Sequence, residues 1–275
     1  MLFDSHCHLN DEKFNNDRDE TINKINSNGV KNLVVAGWDV QSSRHAIELA
    51  EQYDFIYATA GISPNDVDDD CNIDELEKII ATHSINNTVD NYNNPYDIQL
   101  DLNQLKHKVV LVGEIGLDYY WNKDNKERQR QLFIKQIELA NKYDLPIQIH
   151  TRDATVDTIE ILNSHSVNKK GIFHCCPLNQ ELIKAGLELG FYISFSGNVT
   201  FKNAKSANDC ISLVPLDRIL IETDSPYMTP EPHRGEKNDP SNVQYVARKI
   251  AEVKCITYEE VCDITYKNAK KIMNI

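Results

Sequence analysis

The feature that most constrains this chain is a rhythm. Short β-branched and aliphatic runs alternate with longer amphipathic stretches along almost its whole length. The short runs are Leu2–Ser5, Asn32–Ala36, Phe55–Thr59, Val109–Gly113, Pro146–Ile149, Gly171–Phe173, Tyr192–Phe195 and Arg218–Glu222. Eight such strands are what a closed parallel barrel needs. An unbroken apolar run such as Val109-Val110-Leu111-Val112 suits a strand buried on both faces. Between the runs, Asn125–Tyr143 sets Leu132, Ile134, Ile137, Leu139 and Ala140 along one side, as an amphipathic helix does. Asp153–His165, Asn179–Leu189 and Ser241–Val253 follow the same pattern, and Thr257 with Glu260 forms a capping box that opens a further helix. The alternation predicts an α/β fold, a TIM (β/α)8-type barrel in a single domain over residues 1–275. One segment departs from it. Ile85–Leu102 is Asn-rich and poor in aliphatic residues, and reads as a flexible surface insertion before the fourth strand.

Composition narrows the function. With 29 Lys plus Arg against 42 Asp plus Glu the formal net charge is −13, so the chain lacks the basic footprint of a protein that coats nucleic acid. A nuclease is still allowed, because bound divalent metals supply local positive charge. No apolar run approaches the roughly 18 residues of a membrane span, and Met1-Leu2-Phe3-Asp4-Ser5-His6 does not resemble a secretory leader. The seven cysteines contain no C-x-x-C pair, which reads as reduced thiols in a cytoplasmic protein, or also a nuclear one if the source is eukaryotic.

The chemistry gathers at strand ends. The first strand runs into Asp4-Ser5-His6-Cys7-His8, and in extended backbone His6 and His8 point the same way and can converge on one cation. The fourth runs into Glu114, the fifth ends at His150, the sixth at His174, and the eighth leads to Asp224. The C-terminal ends of the strands form the active face of such a barrel. Taken singly, each residue has a structural explanation. The two histidines could simply bond each other, Glu114 could pair with a buried Arg or Lys, His150 and His174 could be satisfied core residues, and Asp224 could cap a turn. Five strand ends carrying metal-capable groups together point to a metal centre. His45, His83, His107 and His165 fall in helical or loop stretches and are expected at the surface. Cys175 and Cys176 are expected to pack beside His174 rather than to ligate.

These segments resemble the TatD family of metal-dependent deoxyribonucleases, within the amidohydrolase-like metallohydrolases. The resemblance rests on Asp4-Ser5-His6-Cys7-His8, Gly113-Glu114-Ile115-Gly116-Leu117-Asp118-Tyr119-Tyr120, Pro146-Ile147-Gln148-Ile149-His150-Thr151-Arg152, Phe173-His174-Cys175, Glu222-Thr223-Asp224-Ser225-Pro226-Tyr227 and Arg234-Gly235. It covers the chain apart from the Asn-rich insertion. It implies that His6 and His8 bind one metal and that Glu114 bridges to a second, held also by His150 and His174. Asp224 would ligate the first metal and act with Glu114 in catalysis, and Arg152 and Arg234 would contact phosphate.

The implied cofactors are two or more divalent ions, Mg²⁺ or Mn²⁺ for activity with Zn²⁺ also compatible with the nitrogen ligands. The implied reaction is hydrolysis of nucleic-acid phosphodiesters, as a 3′–5′ exonuclease on DNA, with RNA as a second substrate. No membrane and no obligate protein partner are implied. One departure stands out: where the family reads Gly-x-His-Pro-His, this chain has Gly61-Ile62-Ser63-Pro64-Asn65. The alternatives are a metal-dependent esterase or amidohydrolase, such as a D-aminoacyl-tRNA deacylase, and a non-catalytic binding protein with a degraded site.

Overall fold

The computed structural model describes residues 1–67, 71–86 and 107–275. Among them, eight strands form one parallel sheet in sequential order. They are β1 Leu2–Cys7, β2 Val30–Val35, β3 Ile56–Ala60, β4 Val109–Asp118, β5 Ile147–Arg152, β6 Gly171–Phe173, β7 Tyr192–Phe195 and β8 Ile219–Ile221. The end of β8 returns to β1, with Asp224 N–H donating to the His6 carbonyl at 3.0 Å and His8 N–H to the Ser225 carbonyl at 2.7 Å. The result is the expected TIM-type barrel. Helices α1 Arg18–Ser27, α2 Val40–Gln52, α3 Ile73–His83, α4 Lys126–Lys142, α5 Thr155–Ser164, α6 Gln180–Glu188, α7 Ala207–Leu213, α8 Val243–Lys254 and α9 Tyr258–Met273 cover the strands. No helix among the described residues is long and apolar enough to cross a membrane. Apart from Ile85 and Asn86, the Asn-rich insertion read as flexible lies outside the described residues.

The interior is layered. Phe3, Val34, Val110, Ile172, Tyr192 and Leu220 pack with Ala269 and Met273 of α9. Side chains from six strands can meet only inside the barrel, so α9 closes the end where those strands begin. Above this apolar layer sits a polar one. Ser5 Oγ lies 2.9 Å from Ser194 Oγ and 3.4 Å from Glu222 Oε2, and Gln148 Nε2 donates to the Ser5 carbonyl at 2.9 Å. Each of these polar groups is buried and partnered, as a buried polar layer must be. The apolar end thus carries stability, and the open end is left for chemistry.

Three strands run further than their apolar content suggests. β4 continues to Asp118 instead of stopping at Gly113, and β5 and β1 continue to Arg152 and Cys7. Pairing extends them. Gly116, Leu117 and Asp118 stand opposite His150, Thr151 and Arg152 on β5. Gly116 permits that approach: it adopts φ +139°, and a Cβ there would lie 2.0 Å from the His150 carbonyl oxygen. From α4, Gln129 clamps the strand end, its Oε1 accepting from Asp118 N–H at 2.8 Å and its Nε2 donating to the Asp118 carbonyl at 3.0 Å. Replacing Gly116 with Ala should therefore cost roughly 3 kcal/mol or more, from the positive φ together with the overlap. A urea midpoint for Gly116→Ala within error of wild type would contradict this packing.

Candidate metal centre

The strand ends bring all six expected groups together. His6 Nε2 and His8 Nε2 lie 3.0 Å apart, and Asp224 Oδ1 lies 3.5 Å from the first and 3.3 Å from the second. Glu114 stands between two nitrogen clusters. Its Oε2 faces His6 Nε2 at 3.6 Å and His8 Nε2 at 3.8 Å, while its Oε1 faces His150 Nδ1 at 2.9 Å and His174 Nε2 at 3.4 Å. His174 Nε2 and His150 Nδ1 are themselves 3.3 Å apart. Glu114 makes its ion pairs with imidazoles, and no Lys or Arg among the described residues reaches it. The alternative of a lysine- or arginine-paired carboxylate therefore falls away.

For His6 and His150, partners behind the ring decide which nitrogen is presented. Gln148 Nε2 is committed to the Ser5 carbonyl, so it is Oε1 that meets His6 Nδ1 at 2.8 Å. His6 must donate there, and its Nε2 keeps a lone pair for the cluster. Asp118 holds His150 in the same way. Its Oδ2 meets His150 Nε2 at 3.0 Å, and its Oδ1 accepts from the backbone of Tyr120 and Trp121 at 2.9 and 3.0 Å. His150 Nδ1 is left facing a carboxylate oxygen at 2.9 Å. Two lone pairs at that distance require a proton or a cation between them. Glu222, wholly buried, faces His174 Nδ1 at 3.6 Å.

The titration behaviour follows. Burial alone would raise Glu114, but the charge on His174 and hydrogen bonds from His150 and His174 hold it well below the ordinary carboxylate range. Burial opposes ionisation of Asp224 too, yet His6 and His8 hold it far below its usual value. Burial disfavours charge on His174, but Glu114 overrides this and raises it well above the ordinary imidazole value. The acids of the cluster are thus held ionised by the imidazoles around them. Nitrogen and carboxylate donors about 2.1 Å from a tetrahedral zinc ion stand about 3.4 Å apart, and the separations of 3.0, 3.5 and 3.3 Å among His6, His8 and Asp224 match that edge. The residues fit a bound divalent cation.

The remaining expectations are placed as follows. Arg152 lines the pocket above the centre, together with Trp38, Ser63, Asn65, Trp121 and Tyr227, and the pocket encloses about 870 Å³. Arg234 is exposed, its guanidinium 3.9 Å over the Phe201 ring, and is not among the lining residues. Ser63 and Asn65, which the resemblance sets against two family histidines, both line the pocket. Ser63 Oγ accepts from Asn65 N–H at 3.3 Å, and Asn65 Nδ2 donates to Asp118 Oδ2 at 3.4 Å. Cys176 is buried, and Cys175 lines the pocket with Sγ 3.0 Å from Ser196 Oγ. Burial pushes the Cys175 thiol well up. His45, His83, His107 and His165 lie outside the pocket but are half-buried, not at the open surface as expected, His45 and His83 on helices α2 and α3 and the other two beside β4 and α5. Gln148 and Glu222 were not singled out from the sequence as site residues. Their part depends on which side chain faces which across the barrel, and Gln148 was visible only as a polar residue in an apolar strand.

An eight-stranded barrel whose C-terminal end gathers four imidazoles and two carboxylates around one pocket is a metal-dependent hydrolase. Comparison with known proteins makes this more specific. The family described as "TatD related DNase" matches residues 3–274. The uncharacterized metal-dependent hydrolase YabD of Bacillus subtilis is 42% identical over 276 residues, covering 100% of both chains. The uncharacterized metal-dependent hydrolase YcfH of Escherichia coli K12 is 36% identical, covering 100% of this chain and 96% of that one. Among solved structures, the TatD homologue YJJV of Escherichia coli K12 superimposes with a TM-score of 0.85 at 26% identity, over 100% of this chain and 98% of that one. The chain belongs to the TatD-related DNase family.

The hydrogen bond that orients His6 yields a test. Gln148→Leu should weaken Zn²⁺ or Mn²⁺ binding by roughly 10- to 100-fold, measured by titration calorimetry. Gln148→Glu, which keeps an acceptor opposite Nδ1, should retain most of the affinity. Equal metal affinity in wild type and Gln148→Leu, with an unchanged circular dichroism spectrum, would refute the assignment of the His6 tautomer.

Proposed function

We propose that this hydrolase cleaves nucleic-acid phosphodiesters, acting on DNA as a 3′–5′ exonuclease, with RNA as a second substrate. The observation that carries the reading is Glu114, whose two oxygens face separate nitrogen clusters and would bridge two cations. His6, His8 and Asp224 would hold one, and His150 and His174 the other. A pair of Mg²⁺ or Mn²⁺ ions, with Zn²⁺ also compatible, would lower the pKa of a water and neutralise charge on the phosphoryl group.

The chain's own groups supply the rest. Asp224 turns Oδ1 toward His6 and His8, while its side chain stays 13% exposed in the pocket, where it can orient water and accept a proton. Held far below its usual pKa, it is ionised throughout the neutral range and accepts hydrogen bonds there. On the pocket wall, Arg152 offers a guanidinium matched to a phosphate. Arg234, on the loop beyond β8, is left to contacts outside the pocket. The family description supports a DNA substrate, and the free cysteines suit a reducing, cytoplasmic setting.

Oligonucleotides labelled at either end, incubated with Mg²⁺, Mn²⁺ or Zn²⁺, should lose nucleotides from the 3′ end, and EDTA should stop the reaction. Glu114→Ala and Asp224→Ala should each lower turnover by at least about 1,000-fold while retaining the wild-type circular dichroism spectrum. Cleavage of a D-aminoacyl-tRNA without cleavage of any oligonucleotide would replace this reading with ester hydrolysis. Inertness toward both, with no metal in the purified protein, would favour a binding role.

A further inference from the structure

Among the described residues, the large apolar side chains left exposed are Met1, Tyr120, Trp121, Val156 and Tyr227. Scattered single residues of this kind need no explanation. Three aromatic rings at one barrel end do: Tyr120 and Trp121 follow β4, and Tyr227 lies three residues beyond Asp224. Trp121 lines the same pocket as Glu114, His150 and Asp224. It is also the most open of the three, at 66% exposure against 46% for Tyr120 and 45% for Tyr227.

Trp121 is held in place. Its backbone N–H donates to Asp118 Oδ1 at 3.0 Å, and Oδ2 of the same carboxylate takes up His150 Nε2 at 3.0 Å. One buried residue therefore fixes both the segment carrying the indole and a side chain of the centre. The Tyr120 ring meets Trp121 at 4.8 Å and 89°. The Arg152 guanidinium lies 3.8 Å over Tyr120 and 5.4 Å from the Trp121 centroid. Tyr227 differs, since Lys13 Nζ already covers its ring at 4.1 Å and its hydroxyl donates to Asp11 at 2.8 Å.

An anchored, open indole beside a guanidinium, on the wall of a hydrolytic pocket, is suited to stacking a flat base while a neighbouring phosphate is held. We propose that Trp121, backed by Tyr120 and Arg152, is a stacking subsite for an unpaired nucleobase next to the scissile phosphodiester. This inference rests on the nuclease reading above. Within a duplex each base is already stacked on its neighbours, so a free face comes only from a single-stranded or frayed terminus. The net charge of −13 agrees, because a chain without a broad basic surface must recognise its substrate through a few local contacts.

The test compares wild type, Trp121→Ala and Trp121→Phe on labelled single strands whose 3′-terminal residues either carry bases or are abasic. Trp121→Ala should raise KM for the base-bearing strand by about tenfold, with the loss falling on KM rather than kcat, and Trp121→Phe should keep most of the affinity. Removing the ring and removing the bases should not add, so wild type and Trp121→Ala should converge on the abasic strand. Wild type should also cut the single strand faster than a blunt duplex of the same sequence. An unchanged KM in Trp121→Ala, or an equal loss on base-bearing and abasic strands, would overturn the stacking subsite while leaving the nuclease reading intact. A wild-type protein that cuts no oligonucleotide would remove that reading and this inference with it.

Discussion

The structure depends on the cost of burying carboxylates. Glu114, Asp118, Glu222 and Asp4 are buried in the upper barrel, and Asp224 stands at its rim. A buried, unpaired carboxylate is expensive, and around Glu114 and Asp224 the charged partners on hand are imidazoles. Imidazoles can answer that charge by holding protons, or they can present lone pairs and let a cation answer it. The geometry around Glu114 suits the second course, since each of its oxygens faces its own pair of nitrogens. A family of metal-dependent hydrolases is the corresponding biological outcome.

The barrel makes this arrangement sustainable by dividing its length. At the closed end, α9 packs Ala269 and Met273 against an apolar layer drawn from six strands. The polar middle layer touches both worlds. Gln148 bonds the β1 backbone on one side and His6 on the other, and Glu222 lies between Ser5 and His174. His6 is thus fixed from below, and neither Gln148 nor Glu222 lines the pocket. Asp118 extends the same logic to the rim, where it ties His150 to the segment that carries Tyr120 and Trp121.

On the proposed nucleic-acid reading, an acidic chain gains little from long-range attraction to a polyanion, and short-range contacts supply the affinity. A guanidinium, a ring stack and the centre itself all converge on one pocket. Ser63 and Asn65, which the resemblance sets against two family histidines, lie there too. Asn65 turns its amide toward Asp118, so this departure from the family pattern is absorbed into the hydrogen bonding around His150.

Much of this was legible in the chain. The alternation of strand and helix, the eight strands and the six candidate ligands are visible because each is a local property: an apolar run, a periodic helix, a polar residue where such a run stops. Helix limits also fell within about two residues, since capping residues such as Thr257 are local signals. What tertiary structure decided is relational. The extension of β4 past Gly113, the amide that sets the His6 tautomer, the two-sided exposure of Glu114 and the Tyr120–Arg152 stack all depend on register between strands distant in sequence. A sequence states which groups a chain carries and how they alternate along it. Which lone pair faces which oxygen is settled only when the sheet closes, because closure fixes the spacing between strands to within a hydrogen bond.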